Sequence, residues 1–150
     1  MPPRGFFDAF PDFEVDPNIP ISEEFKRLAR KRQWKQGSKI WRKMWNRFIN
    51  LEYDRYFGGS TPAGLEGWRQ LCDELDLEGP FSSITHCKKA LCRVHVNIVD
   101  LVEGRQTGQK PRTFPTVGAL ARYTHETQRF FNRNSAKQDK ILRVLLRKLL

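Results

Sequence analysis

The chain has 150 residues, of which 39% are hydrophobic, and a formal net charge of +10 at pH 7. This length supports one domain with a hydrophobic core and is short for two. Three cysteines, no apolar leader after Met1 and no apolar run near 18 residues argue against a secreted disulfide scaffold and a transmembrane protein. We therefore expect a nuclear or cytoplasmic protein with reduced thiols.

The charge falls into four blocks of alternating sign. Residues 1–25 carry −5, residues 26–47 carry +10, residues 48–103 carry −4 and residues 104–150 carry +9. The block 26–47 contains ten lysines and arginines and no acid. The alternation indicates either a site for an external polyanion or basic and acidic elements that pair inside the fold.

Residues 1–20 combine five of the nine prolines with Phe6, Phe7, Phe10 and Phe13. Prolines at this density predict an extended or partly disordered arm, followed by a single helical domain over residues 21–150. The phenylalanines either pack on the core of the chain or form a short motif for another protein, because exposed aromatic side chains are unfavourable in water.

The first helix is predicted to begin at Ser22, because two acids follow it in the first turn, and to run to about Gln33. Gly37 then breaks the chain, and Ser38 can cap a second helix that extends to Phe57. This second helix has an apolar side next to a basic side. The apolar side carries Trp41, Met44, Trp45, Phe48 and the acid Glu52, and the basic side carries Lys39, Arg42, Lys43, Asn46 and Arg47.

A third, acidic helix is predicted from Thr61-Pro62 to Glu78, with its carboxylates on the exposed side. Apolar residues at 84, 87, 91, 94, 98, 101 and 102 then predict one long central helix over 82–103, with Gly104 as its C-terminal cap. The β-branched stretch Val94–Val99 leaves a strand as the alternative.

Residues 104–115 contain two glycines, two prolines and three cations, and predict a flexible basic loop. Thr116 precedes a further helix through Leu120 and Tyr123 to Phe130, and Ser135 precedes a last one with a leucine-rich face. With no hairpin signal and no internal repeat, the fold class expected is all-α: a compact bundle of five or six helices with the N-terminal arm.

Several spaced segments are similar to small uncharacterised proteins of filamentous ascomycete fungi. They are Glu24-Phe25, Arg27-Leu28-Ala29, Trp34, Gly37-Ser38, Trp41-Arg42-Lys43, Glu52-Tyr53-Asp54-Arg55, Cys87-Lys88-Lys89-Ala90-Leu91 and Val96-Asn97-Ile98-Val99-Asp100-Leu101. The likeness extends from about Phe7 to Leu149. It implies a eukaryotic, intracellular setting and carries no assigned activity and no catalytic residues.

A helix with one buried aromatic side and one cationic side suits the phosphates of nucleic acid, DNA or RNA. The sequence therefore predicts a non-enzymatic nucleic-acid-binding domain. The alternative is an interaction module whose basic surface pairs with an acidic protein partner or with the acidic helix of the chain. The candidate binding residues are Arg30, Lys31, Lys35, Lys39, Arg42, Lys43, Asn46 and Arg47.

The tryptophans of the second helix, Trp41 and Trp45, are assigned to the core, and Trp34 is the better candidate for stacking on a base. On a single helix His86, Cys87, Cys92 and His95 point in different directions, so we expect no metal site there. His125-Glu126 lacks the second histidine of a zinc-protease helix, and no nucleophile or phosphate-loop motif is present. We expect no cofactor and no enzymatic activity.

Overall fold

Helices form most of the computed structural model, which describes residues 5–57, 64–133 and 140–146. The predicted all-α class is confirmed. A short 3-10 helix, Phe6–Ala9, precedes α1 (Ile21–Lys31), α2 (Lys39–Phe57), α3 (Gly64–Glu74), α4 (Ile84–Leu91), β1 (His95–Val96), α5 (Ile98–Thr107), β2 (Thr113–Phe114), α6 (Val117–Thr127) and α7 (Lys140–Leu145). Within these residues seven α-helices are present rather than five or six, because one predicted helix is divided.

The junction between α1 and α2 follows the sequence prediction closely. Gly37 adopts a positive φ of 81°, which favours glycine, and α2 begins two residues later. The Ser38 hydroxyl accepts a hydrogen bond from the backbone N–H of Trp41 at 3.2 Å and so caps α2. This cap fixes the residue at which α2 begins, and so the positions of the basic residues along it.

An aromatic cluster of Phe6, Phe25, Trp41, Trp45 and Phe48 joins the first two helices. The ring of Phe25 lies 5.4 Å from that of Trp41, 5.2 Å from Trp45 and 5.0 Å from Phe48, measured between centroids. Trp41 and Trp45 stack on each other at 5.5 Å with their planes 4° apart. All five side chains are buried, which confirms the assignment of Trp41 and Trp45 to the core.

The N-terminal arm is packed on this cluster from Gly5 onwards. Phe6, Phe7, Phe10 and Phe13 are all buried, so the phenylalanines do pack on the core of the chain and do not form an exposed motif. The arm also contains the 3-10 helix, which the proline content did not predict. The ring of Phe6 contacts those of Phe25 and Phe48 at 5.9 and 5.6 Å.

The predicted long helix over 82–103 is wrong, because the chain breaks between α4 and α5. Cys92 ends α4, and His95–Val96 forms a two-residue strand, much shorter than the alternative over Val94–Val99. Asn97 then caps α5: its side chain accepts a hydrogen bond from the backbone N–H of Asp100 at 3.1 Å. The apolar spacing continues across the break, but the cap at Asn97 starts a new helix there.

The predicted flexible loop over 104–115 is also corrected. Helix α5 continues through Gly104 to Thr107, and Gly108, with a φ of 81°, ends it in place of Gly104. Gly104 instead permits close packing, since a Cβ there would lie 2.7 Å from the Gln109 carbonyl oxygen. Strand β2 pairs antiparallel with β1, with His95 opposite Phe114 and Val96 opposite Thr113.

The remaining helices complete the core. Helix α3 packs on α4, α2 on α5 and α4 on α7. Helix α6 begins directly after Thr116, close to the predicted start, and the Thr116 hydroxyl caps it by accepting a hydrogen bond from the backbone N–H of Ala119 at 3.0 Å. The helix ends at Thr127, before the predicted end at Phe130. In α7, Ile141 and Leu142 are buried. The predicted start of the acidic helix at Thr61-Pro62 and the cap at Ser135 lie outside the described residues.

A buried carboxyl group connects the arm to α2. Glu52 is 0% exposed, and its Oε1 accepts a hydrogen bond from the backbone N–H of Phe6 at 3.2 Å. Its Oε2 has no hydrogen-bond partner among the described residues and lies 3.7 Å from Arg55 Nη1. Burial therefore raises the pKa of Glu52, because desolvation disfavours the charged carboxylate.

Replacing Phe6 with alanine tests whether the arm belongs to the core. We expect Phe6→Ala to lower the free energy of unfolding by about 3–5 kcal/mol, because it removes a buried ring and leaves a cavity. Val15→Ala is the control in the same arm, since Val15 is 39% exposed, and its effect should stay within about 0.5 kcal/mol. Urea unfolding followed by circular dichroism measures both. Equal losses would contradict the packed arm.

Replacing Glu52 with glutamine tests the cost of the buried charge. Since the pKa of Glu52 is raised in the folded state, its ionised form destabilises the fold at neutral pH, and this cost disappears as the pH falls towards the ordinary value of 4.5. We expect Glu52→Gln to raise Tm at pH 7, with the difference from the parent chain shrinking as the pH is lowered. Thermal unfolding across pH 4–8 measures this.

The matched control for this substitution is Glu66→Gln, whose carboxylate is mostly exposed beside Arg69. Its Tm should follow that of the parent chain at every pH, because exposed ion pairs contribute little stability. A lower Tm for Glu52→Gln at pH 7 would show that the charged form of Glu52 stabilises the arm.

Candidate nucleic-acid interface

All eight candidate binding residues lie on the surface. Those on α2 recur at spacings of three and four and so share one side of the helix, next to the side that carries Trp41, Trp45 and Phe48. Two others are in the last turn of α1, and one is in the turn between the helices. We call the exposed set Arg30, Lys31, Lys35, Lys39, Arg42, Lys43, Asn46 and Arg47 the basic face.

The cations of the basic face are not neutralised by the described part of the chain. Six of them make no ion pair and no side-chain hydrogen bond with any described residue, and the seventh, Lys31, donates only to the backbone oxygen of Asp12 at 3.2 Å. The six are Arg30, Lys35, Lys39, Arg42, Lys43 and Arg47.

Three other cations of the same basic block are paired. Lys26 contacts Glu23 at 3.5 Å, Arg27 contacts the buried Glu24 at 2.7 Å and Arg32 contacts Asp12 at 2.7 Å. The hydrogen bonds from Arg27 lower the pKa of Glu24. One acid of the arm and two acids in the first turn of α1 thus compensate three cations of the block and leave the α2 side uncompensated.

The acids of α3 do not reach the basic face. Glu66 pairs with Arg69 on its own helix at 3.1 Å, and Glu74 pairs with Arg105 at 2.7 Å. Asp76, just after α3, pairs with Lys110 at 2.9 Å. Among the described residues, therefore, Glu74 and Asp76 pair with the second basic block, residues 104–150, and no acid of this region pairs with the first.

Arg129 shows how the second basic block is used inside the fold. Its Nε donates to Asp100 at 2.6 Å, its Nη1 donates to the Ser22 hydroxyl at 3.0 Å and its Nη2 donates to Glu103. Burial alone would lower the pKa of Arg129, but the carboxylates of Glu103 and Asp100 raise it overall. Burial and a hydrogen bond with Asp100 also raise the pKa of Tyr123 to about 12. This network joins α1, α5 and the chain after α6.

A cleft of about 440 Å³ opens beside the basic face, between α2 and the chain that follows α6. Two hydrogen bonds hold its walls together: Trp45 Nε1 donates to the Phe130 carbonyl oxygen at 2.9 Å, and Asn50 Nδ2 donates to the Asn132 carbonyl oxygen at 2.8 Å. We call this the α2–α6 cleft. Its lining includes Trp41, Arg42, Asn46, His125, Gln128 and Phe130.

The sequence predicted one side of the α2–α6 cleft and missed the other. Arg42 and Asn46 were candidates, whereas His125, Gln128 and Phe130 were not. The available signal was the indole N–H of Trp45, because a buried tryptophan needs an acceptor, but nothing in the sequence identifies that acceptor as residue 130.

Trp34 is less available for stacking than predicted. It is half-buried, and its ring contacts Phe10 at 5.9 Å and Phe25 at 6.2 Å. Two neighbours on the core side leave only part of the indole open to solvent.

The thiols and histidines form no site in the described structure. The prediction that these side chains point in different directions assumed one helix, whereas the structure divides it into α4, β1 and α5. Even so, no group of three His, Cys, Asp or Glu side chains among the described residues could hold a metal ion. Cys72 and Cys87 are buried, and burial raises the pKa of the Cys72 thiol to about 12. That thiol is therefore protonated and unreactive at neutral pH.

Comparison with protein-family models, curated proteins and solved structures finds no match for this chain. Among its described residues, no helix has the length and apolar character needed to cross a membrane.

The free energy of unfolding can test whether Arg129 supports the fold while Arg42 does not. We expect Arg129→Met to lower the free energy of unfolding by about 3–5 kcal/mol, because two half-buried carboxylates lose their partner. Arg42→Met removes an exposed, unpaired cation and should change it by no more than about 0.5 kcal/mol. Chemical denaturation of both variants measures the difference. A large loss for Arg42→Met would show that the basic face supports the fold.

Proposed function

We propose that the protein is a non-enzymatic nucleic-acid-binding domain of the nucleus or cytoplasm, which contacts phosphates through the basic face. The observation that carries the proposal is the set of six exposed cations without an ion pair, whereas every ion pair among the described residues is made by another lysine or arginine. A surface on which cations are concentrated and left unneutralised attracts polyanions.

The rigidity of α2 supports the same function. Its cations project from a helix whose other side is buried in the aromatic cluster, so their backbone positions are fixed before any ligand binds. Lysine and arginine side chains on a fixed backbone can neutralise successive phosphates and release condensed counterions. Asn46 lies among them and adds a hydrogen-bonding group, which suits sugar or phosphate oxygens as well as base edges.

The proposal predicts binding that weakens steeply with salt. Fluorescence anisotropy with labelled duplex and single-stranded oligonucleotides of random sequence should show binding at low salt. If about five phosphates are contacted, the logarithm of the binding constant should fall against that of salt with a slope of about −4. The double variant Arg42→Glu/Arg47→Glu should lose affinity by about tenfold or more, since two attractive charges become repulsive.

The matched control is Lys89→Glu/Arg93→Glu. It makes the same change in net charge at two exposed cations at and after the end of α4, whose neighbours are α3 and α7. If the basic face is the site, this control should weaken binding much less than the α2 variant. Equal losses would indicate attraction by net charge alone. No binding of any oligonucleotide at low salt would overturn the proposal and leave an acidic protein as the partner to seek.

A further inference from the structure

The α2–α6 cleft has the size of a small-ligand site and opens next to the basic face. Its volume of about 440 Å³ lies within the range of about 300–1,000 Å³ that is usual for such sites. Arg42 and Asn46 belong both to the lining of the cleft and to the basic face. A ligand that binds the cations can therefore also enter the cleft.

The polar groups of the cleft keep unused hydrogen-bonding capacity. Asn46 Oδ1 accepts from Asn50 at 3.3 Å, while its Nδ2 has no partner among the described residues. Gln128 Nε2 donates to the His125 carbonyl oxygen at 2.7 Å, while its Oε1 likewise has no described partner. The cleft thus presents a donor on α2 and an acceptor on the opposite wall, in addition to the exposed guanidinium of Arg42.

Aromatic rings form the apolar part of the same cleft. Phe130 is half-buried and packs edge-on against the exposed ring of His125, with 5.3 Å between the ring centroids. The stacked indoles of Trp41 and Trp45 lie in the lining beneath. Flat aromatic surface combined with amide donors and acceptors is the chemistry that recognises a nucleobase, by stacking on its face and hydrogen bonding to its edge.

We infer that the α2–α6 cleft holds an unpaired base of a single-stranded nucleic acid while the basic face binds the adjoining phosphates. This inference rests on the proposed function and names its substrate class. In a duplex each base is stacked between its neighbours and paired along its edge, so it cannot enter a cleft without leaving the helix. The protein should therefore prefer single strands to duplexes of equal length.

The test compares probes that differ in bases but not in phosphates. Three labelled DNAs of equal length, about 12 nucleotides, are titrated at one low salt concentration: a mixed-sequence single strand, its duplex, and a single strand of abasic sugar-phosphate units. The mixed single strand should bind about tenfold or more tightly than the abasic strand, because only the former can stack a base in the cleft. It should also bind more tightly than the duplex.

Variants in the cleft separate base contacts from phosphate contacts. The double variant His125→Ala/Gln128→Ala changes two residues of the cleft that lie outside the basic face. It should reduce affinity for the mixed strand towards that of the abasic strand and leave the abasic affinity nearly unchanged. Asn18→Ala removes an exposed amide elsewhere on the surface, near α5, and should change neither affinity. Arg42→Glu/Arg47→Glu should reduce both affinities. Thermal unfolding shows that each variant is folded before it is titrated.

The outcomes distinguish the inference from the function on which it rests. Equal affinity for the mixed and abasic strands, or tighter binding of the duplex, would overturn the role of the cleft and leave phosphate binding by the basic face intact. A loss of abasic affinity in His125→Ala/Gln128→Ala equal to its loss for the mixed strand would also overturn it. Absence of binding to all three probes would overturn both.

Discussion

The orientation of α2 depends on the packing of its aromatic side against Phe25. Trp41, Trp45 and Phe48 recur at intervals of four and three residues and meet the ring of Phe25 on α1 at 5.0–5.4 Å. Burying these three rings fixes the rotation of α2 about its own axis, and the cationic positions one step round the helix must then face solvent. The candidate binding surface therefore has no separate structural cause. Burying the aromatic side of α2 in the cluster, to which the arm contributes Phe6, is what leaves the cationic side of the helix exposed.

The two basic blocks have different uses because they meet different acids. Arg105 pairs with a carboxylate of α3, and Lys110 pairs with one in the turn after α3. Arg129 pairs with two carboxylates of α5. Residues 26–47 meet few acids apart from those of the arm and the first turn of α1. Pairing compensates four of the eight described cations of the C-terminal block, namely Arg105, Lys110, Arg129 and Arg133, but none of the cations on the basic side of α2. Internal pairing, one of the two explanations for the alternation of charge, therefore applies to part of the C-terminal block, while the cations of the basic face stay unneutralised by the described residues.

Features governed by neighbouring residues were predictable, and features governed by distant ones were not. Ser38 and Thr116 cap α2 and α6 as their positions indicated, since capping depends on residues two or three apart. The prediction of a single helix over 82–103 is wrong because the apolar residues of α4 and α5 keep intervals of three and four across the break. The sequence signal for the break is Asn97, three residues before Asp100, which can cap a new helix. The α2–α6 cleft could be predicted only on its α2 side, because its other wall is brought there by a contact between residues 45 and 130.

That contact explains why the cleft is formed before any ligand arrives. The buried indole of Trp45 requires an acceptor for its N–H, and the Phe130 carbonyl oxygen provides it at 2.9 Å. Gln128, with a positive φ of 58°, ends α6 and turns the chain so that residue 130 reaches α2. The same hydrogen bond therefore satisfies the core and fixes one wall of the cleft. A wall held by the core needs no ordering on binding, which lowers the entropic cost for a ligand. In the proposed complex, phosphates bound along α2 would place their bases at a cleft whose shape the fold has already set.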